Sequence, residues 1–106
     1  MSTYLFQVSY TAEGAKGLLR EGGTSRVAFL SNLAKSLGGK LEAYYFAFGE
    51  ADAYVIVDGI DNVGAAALSL EFSASGAMRI KTTVLLKPEE IDAATNQAVG
   101  FRPPGA

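Results

Sequence analysis

The strongest constraint on this chain is the order in which two hydrophobic rhythms succeed one another. Thr3 to Tyr10 has a period of two, with Tyr4, Phe6, Val8 and Tyr10 alternating with Leu5, Gln7 and Ser9. That is the pattern of a strand. Val27, Leu30, Ala34 and Leu37 then recur at helical spacing, with Phe29 and Leu33 beside them. A helix is therefore predicted from a cap at Thr24 or Ser25 to Leu37, stopped by Gly38-Gly39. Lys40 to Phe48 predicts a second strand, rich in aromatics. After the turn signal Gly49-Glu50-Ala51-Asp52, Ala53 to Asp58 predicts a third, apolar at nearly every position and so covered on both faces. Asp61 caps a second helix running to Ser75, with Val63, Ala66, Ala67, Leu70 and Ala74 as its buried face. Gly76 ends it, and Ala77 to Leu86 alternates again as a fourth strand. Thr11 to Arg20 admits a helical turn capped by Thr11, weakened by Gly14 and Gly17. Pro88 opens a short last helix, with Glu89, Glu90 and Asp92 at its positive end.

The resulting order, βαββαβ plus a C-terminal helix and tail, predicts an α+β, ferredoxin-like fold. Its four-stranded antiparallel sheet carries helices on one face, its first and third strands are central, and its fourth lies beside the first. At 106 residues one domain is expected, with a core over 3–87 and a helix and arm over 88–106. Two helices leave the second face of the sheet open. Leu5, Gln7 and Ser9 of the first strand and Arg79, Lys81, Thr83 and Leu85 of the fourth are assigned to it. The third strand adds either Ala53, Val55 and Val57 or Tyr54, Ile56 and Asp58. Such a face is too apolar to be left in water, and a symmetric face-to-face homodimer would bury it.

Composition limits the chemistry. The chain has no Cys, His or Trp, which removes Cys- or His-based zinc sites, disulfides, thiol nucleophiles and a Ser-His-Asp triad. Haem with an axial His or Cys is removed as well, and no cofactor is expected. The net charge is -2 and the nine basic residues are scattered, so no nucleic-acid footprint is present. No apolar stretch suits a membrane span, and Met1-Ser2-Thr3-Tyr4 does not resemble a signal peptide. A cytoplasmic protein is the expectation.

The segments Thr3-Tyr4-Leu5, Gln7-Val8-Ser9-Tyr10-Thr11, Glu13-Gly14-Ala15-Lys16-Gly17 and Glu21-Gly22-Gly23 carry a family resemblance. So do Gly39-Lys40-Leu41-Glu42, Tyr45-Phe46-Ala47-Phe48-Gly49-Glu50-Ala51-Asp52, Ser73-Ala74-Ser75-Gly76, Lys81-Thr82-Thr83 and Pro88-Glu89-Glu90. Over essentially its full length the chain resembles the small bacterial GYD-domain family. In the stretch from Phe48 to Asp52, Glu50 and Ala51 stand between Gly and Asp where the family name suggests a Tyr, which argues against a catalytic role for that middle position. The resemblance implies a dimeric α/β barrel, in which two ferredoxin-like subunits press their sheets together. It implies no function, because related barrels include cofactor-free monooxygenases, isomerases, dehydratases, haem enzymes and binding modules.

Three groups of residues are candidates for a site. Gly22 and Gly23, at the start of a helix and close to Arg26 and Arg20, can hold a small anion; the plainer reading is a flexible helix break. Gly23 stands where a phosphate loop needs Lys, so that motif is rejected. The acidic turn Glu50-Ala51-Asp52, with Glu42 and Asp58, offers paired carboxylates, or simply a solvated hairpin tip. It lacks calcium-loop spacing, and no metal is expected. Gln7, Ser9, Arg79, Lys81 and Thr83 form a polar group on an otherwise apolar face. They are either interface residues or, with Tyr10 and Tyr45 as hydroxyl donors, the lining of a pocket.

Two functions fit these residues. The first is a homo-oligomeric barrel that binds a small anionic or carbonyl-bearing organic ligand, between sheet and helices or at the subunit interface. It extends to cofactor-independent proton transfer or oxygenation, with Tyr45 or Asp52 as base and Arg79 or Lys81 stabilising an enolate. The second is a structural or regulatory interaction module without a ligand. Phe101 and Pro103-Pro104 suit an extended arm packed on its own or a neighbouring subunit.

Overall fold

A computed structural model describes residues 1–106. Its elements are β1 (Ser2–Tyr10), α1 (Ala12–Glu21), α2 (Gly23–Ser36), β2 (Lys40–Phe46), β3 (Ala53–Ile60), α3 (Asn62–Ala74), β4 (Met78–Leu85) and α4 (Pro88–Thr95). The four strands form one sheet in the order β2-β3-β1-β4, and every pairing is antiparallel. This is the ferredoxin-like arrangement, with β1 and β3 central.

The period of two in β1 decides which residues enter the core. Tyr4, Phe6 and Val8 are buried, as are Ala53, Val55 and Val57 of β3 and Leu30, Ala34, Ala65, Leu68 and Phe72 of the helices. Register carries this across the sheet: Phe6 lies opposite Val55 on one side and Thr82 on the other. The open face therefore takes Tyr54, Ile56 and Asp58 from β3, which settles the alternative left by the sequence. In β2 a register shift between Leu41 and Ala43 makes Glu42 the extra residue of a bulge. Ala47 donates its N–H to the Asp52 carbonyl at 2.8 Å, so β2 stops at Phe46 and the hairpin closes there.

Two helices depart from the expected pattern. The segment after β1 is a full ten-residue helix, held at its start by Thr11. The Thr11 hydroxyl accepts from the Gly14 N–H at 3.3 Å and donates to the Gly76 carbonyl at 2.7 Å, while its own N–H donates to the Ala77 carbonyl at 3.0 Å. Gly14 is needed because a Cβ there would fall 1.9 Å from the Ala77 carbonyl oxygen. A long-range contact thus overrides the residue's poor helix propensity.

Neither Thr24 nor Ser25 caps α2. Gly22 does so, at φ 83° and ψ 162°, and it also ends α1. Only Gly adopts that conformation without strain, and it lets the chain turn from α1 into α2 with no linker.

In α3 the buried residues are Ala65, Leu68 and Phe72, whereas Val63 is 77% and Leu70 70% exposed. The predicted face is the outer one, rotated by two residues or about 200°. Apolar side chains surround this helix, so spacing alone does not select a face. The large Phe72 ring does, packing edge-on to Phe6 with centroids 6.2 Å apart and planes at 83°.

α4 buries none of its residues. Phe101 is 74% exposed, so it does not pack on its own subunit. The radius of gyration is 16.9 Å and the long axis 57 Å, against about 13 Å expected for a compact chain of this length. The C-terminal segment projects from the domain. No helix is long and apolar enough to cross a membrane.

Candidate functional site

Where β1 ends, α1, α2 and α3 do not close over the sheet. A cleft of about 460 Å³ opens there, within the size range of small-molecule sites. Its apolar lining includes Leu18, Phe29, Leu33, Leu68, Phe72 and Met78, and its polar groups are Tyr10, Arg26, Ser75, Glu13, Glu21 and Glu71. Gly14 is part of the wall, so the close approach of α1 to Ala77 also shapes the cleft. A second, more open cleft of about 580 Å³ lies on the other side of Leu18, between α1 and the β2–β3 hairpin. Tyr10 and Leu18 line both.

Tyr10 is held at both ends. Its N–H donates to the Asp52 carboxylate at 2.8 Å. Its hydroxyl lies 3.1 Å from that of Tyr44. Burial, reinforced by the Tyr44 hydroxyl, pushes the Tyr10 phenol well above its ordinary value near 10. Tyr10 is therefore neutral at physiological pH, a hydrogen-bond donor and not a base. Two facing hydroxyls have two protons, and their mutual bond uses one. The other is available to a ligand oxygen.

Arg26 is the cation of the first cleft. Its guanidinium sits over the Phe29 ring, 5.2 Å from the centroid. The single salt bridge in the chain joins Lys87 to Asp58, so no carboxylate lies within ion-pair distance of Arg26. Glu13, Glu21 and Glu71 line the same cleft; they disfavour a multiply charged anion and leave room for a neutral acceptor such as a carbonyl.

The residues singled out from sequence separate into two groups. Tyr10 and Asp52 meet at the end of β1, and Arg26 shares the first cleft with Tyr10. Gln7, Tyr45, Arg79 and Lys81 lie on the opposite, open face. Tyr45 pairs with Tyr54, Tyr54 with Gln7 and Gln7 with Lys81, forming a row across all four strands. Arg79 stands opposite Ser9. Neither of the two clefts contains any of these four, so the structure does not bring Tyr45 to Tyr10.

At Gly23 the packing is close, and the Gly22 N–H is not free for an anion. The Gly22 N–H is bonded to the Leu18 carbonyl at 2.8 Å, and a Cβ on Gly23 would meet the Phe46 ring at 3.0 Å. Sequence reasoning missed the apolar lining of the first cleft. Its one local sign was Arg26 placed three residues before Phe29, close to one helical turn.

The GYD domain family model matches residues 4–95 of the 106-residue chain. No curated protein and no solved structure matches it.

Proposed function

Since the chain belongs to the GYD domain family, we propose that it acts as a homodimer that holds a small, largely apolar, carbonyl-bearing organic molecule in the cleft beside Tyr10 and Arg26. The observation that carries this reading is the pairing of a neutral phenol and an unpaired guanidinium in one apolar cavity of about 460 Å³. The Tyr10 hydroxyl donates to the ligand carbonyl, and Arg26 adds a charged donor at the cleft wall. The apolar walls supply most of the binding free energy.

The same donors extend the reading to chemistry. A carbonyl polarised by Tyr10 and Arg26 has a more acidic neighbouring C–H. A carboxylate of the cleft takes that proton, the C–H electron pair moves into the C–C bond, and the negative charge settles on the oxygen. Glu13, Glu21 and Glu71 line the cleft and are the available bases. Asp52 lines only the other cleft, and Tyr45 neither. The dimer is supported by the open face, where Leu5 and Ile56 pair in the row next to Tyr45-Tyr54-Gln7-Lys81 and Leu85 lies in the row beyond.

Thermal shift against a panel of aliphatic ketones, aromatic ketones and monocarboxylates tests the binding. Ketones are expected to raise Tm, and Tyr10→Phe or Arg26→Met to weaken their binding about tenfold, near the worth of one hydrogen bond. Stabilisation by no member of the panel, or equal binding by both variants, would refute the cleft as a ligand site and leave the interaction-module reading in its place.

A further inference from the structure

We propose that the C-terminal segment from Pro88 to Phe101 is a clasp that docks on the second copy of the chain, with α4 carboxylates pairing Arg79 and Lys81 of that copy. The proposal rests on the homodimer reading above and adds to it the segment that fastens the two subunits.

The root of the segment sets its direction. Lys87 Nζ lies 3.5 Å from Asp58 Oδ2, and Asp58 also accepts from the Thr3 hydroxyl at 2.6 Å. Asp58 is on the open face, opposite Thr3 of β1 and Lys40 of β2. After β4 the chain is thus tethered on the side where the second copy sits, directly before α4 begins.

Beyond Lys87 the chain is organised but unpartnered. Pro88 stands in the first turn of α4, and the Lys87 N–H donates to Glu90 Oε1 at 2.9 Å. An eight-residue helix is too short to persist in water without packing. Yet Ile91 is 47% exposed and Phe101 74%. The six residues from Asn96 to Phe101 (101 less 95) can span up to roughly 20 Å when extended, enough to cross the roughly 14 Å width of a four-stranded sheet.

The open face of the second copy offers charge opposite in sign to that of α4. Glu89 and Asp92 have no cation within ion-pair distance, and Arg79 and Lys81 have no carboxylate. Within one chain both pairs are unmatched; between two copies in a two-fold arrangement each matches the other twice. Ile91 and Phe101 then bury their apolar surface against the same subunit.

Sedimentation equilibrium on the full chain tests the clasp, with Glu89→Lys/Asp92→Lys, the same pair combined with Arg79→Glu/Lys81→Glu, and a photo-cross-linking amino acid at Phe101. The wild type is expected to dimerise. Reversing the α4 charges should weaken the dimer about tenfold or more, and reversing both sides should restore it. The probe at Phe101 should yield a covalent dimer. A dimer of unchanged affinity in the Glu89/Asp92 variant, or a probe that cross-links only within its own chain, would overturn the clasp while leaving the dimer standing. A wild type that is monomeric at micromolar concentration would overturn both.

Discussion

Replacing Gly14 by Ala should destabilise the protein, although Ala is the best helix former and Gly nearly the worst. Propensity alone predicts a gain of about 1 kcal/mol for this change in a helix interior. The structure predicts the reverse. A Cβ on Gly14 would lie 1.9 Å from the Ala77 carbonyl oxygen, 2.9 Å from its carbon and 3.0 Å from the Tyr10 ring. The nearest atoms are backbone, so no rotamer change relieves the clash, and α1 must move off the start of β4. Overpacking costs about 1–3 kcal/mol and sometimes more. An upper value near 3 kcal/mol, less the propensity gain, leaves a loss of about 2 kcal/mol. For a domain of this size that lowers Tm by roughly 8–16 °C.

Gly17 is the internal control. It lies in the same helix, and a Cβ there meets nothing within 4 Å. Gly17→Ala should therefore raise stability by about 0.5–1 kcal/mol. Urea unfolding of the two variants beside the wild type, followed by far-ultraviolet circular dichroism, makes the comparison directly. Equal stabilisation by both substitutions would refute the argument, because it would mean that α1 does not press on Ala77. Displacement of α1 should also open the cleft that Gly14 walls, so Gly14→Ala should lose ketone binding in addition to stability.

In an alkaline titration followed near the phenolate absorbance band, Tyr10 should ionise above the ordinary value near 10. Its folded-state pKa is raised. The stability from keeping it neutral is therefore complete below the ordinary value near 10 and is lost as pH climbs toward the folded value. Tyr10→Phe should flatten the alkaline fall in the urea midpoint, and an unchanged slope would contradict the burial argument. In α3, Leu68→Ala should cost about 2–5 kcal/mol, as for a buried leucine, whereas Leu70→Lys should stay within about 0.5 kcal/mol. Chemical denaturation of the two variants checks the assigned face, and a larger loss at Leu70 would invert it.

The sheet was legible because its strands are strictly patterned. Alternation in β1 assigned Tyr4, Phe6 and Val8 to the core and Leu5, Gln7 and Ser9 to the open face, and pairing carried the same split to Arg79 and Lys81. The helices were less legible, for particular reasons. Around α3 the residues Val63, Ala65, Ala67, Leu68, Leu70 and Phe72 qualify several faces as apolar, and the choice depends on Phe72 meeting Phe6 across the core. In α1 the need for Gly14 comes from Ala77, sixty-three positions away (77 less 14), so local propensity misjudges it. The site was half legible. Tyr10, Asp52 and Arg26 were all singled out, and alternation put Gln7, Arg79 and Lys81 on the other face, but residue type does not show that Arg26 joins Tyr10 in one cleft while Tyr45 stays out of it. The cleft itself comes from the packing of three helices, which leaves no local mark in the sequence.

The most direct test of the cleft as the ligand site is amide chemical-shift mapping of the isotope-labelled protein with an aromatic ketone from the thermal-shift panel. Perturbations should cluster at Tyr10, Arg26, Leu33, Leu68 and Phe72, and fade in Tyr10→Phe. Perturbations centred on Gln7, Tyr45, Arg79 and Lys81 would contradict the account and return the site to the open face of the sheet.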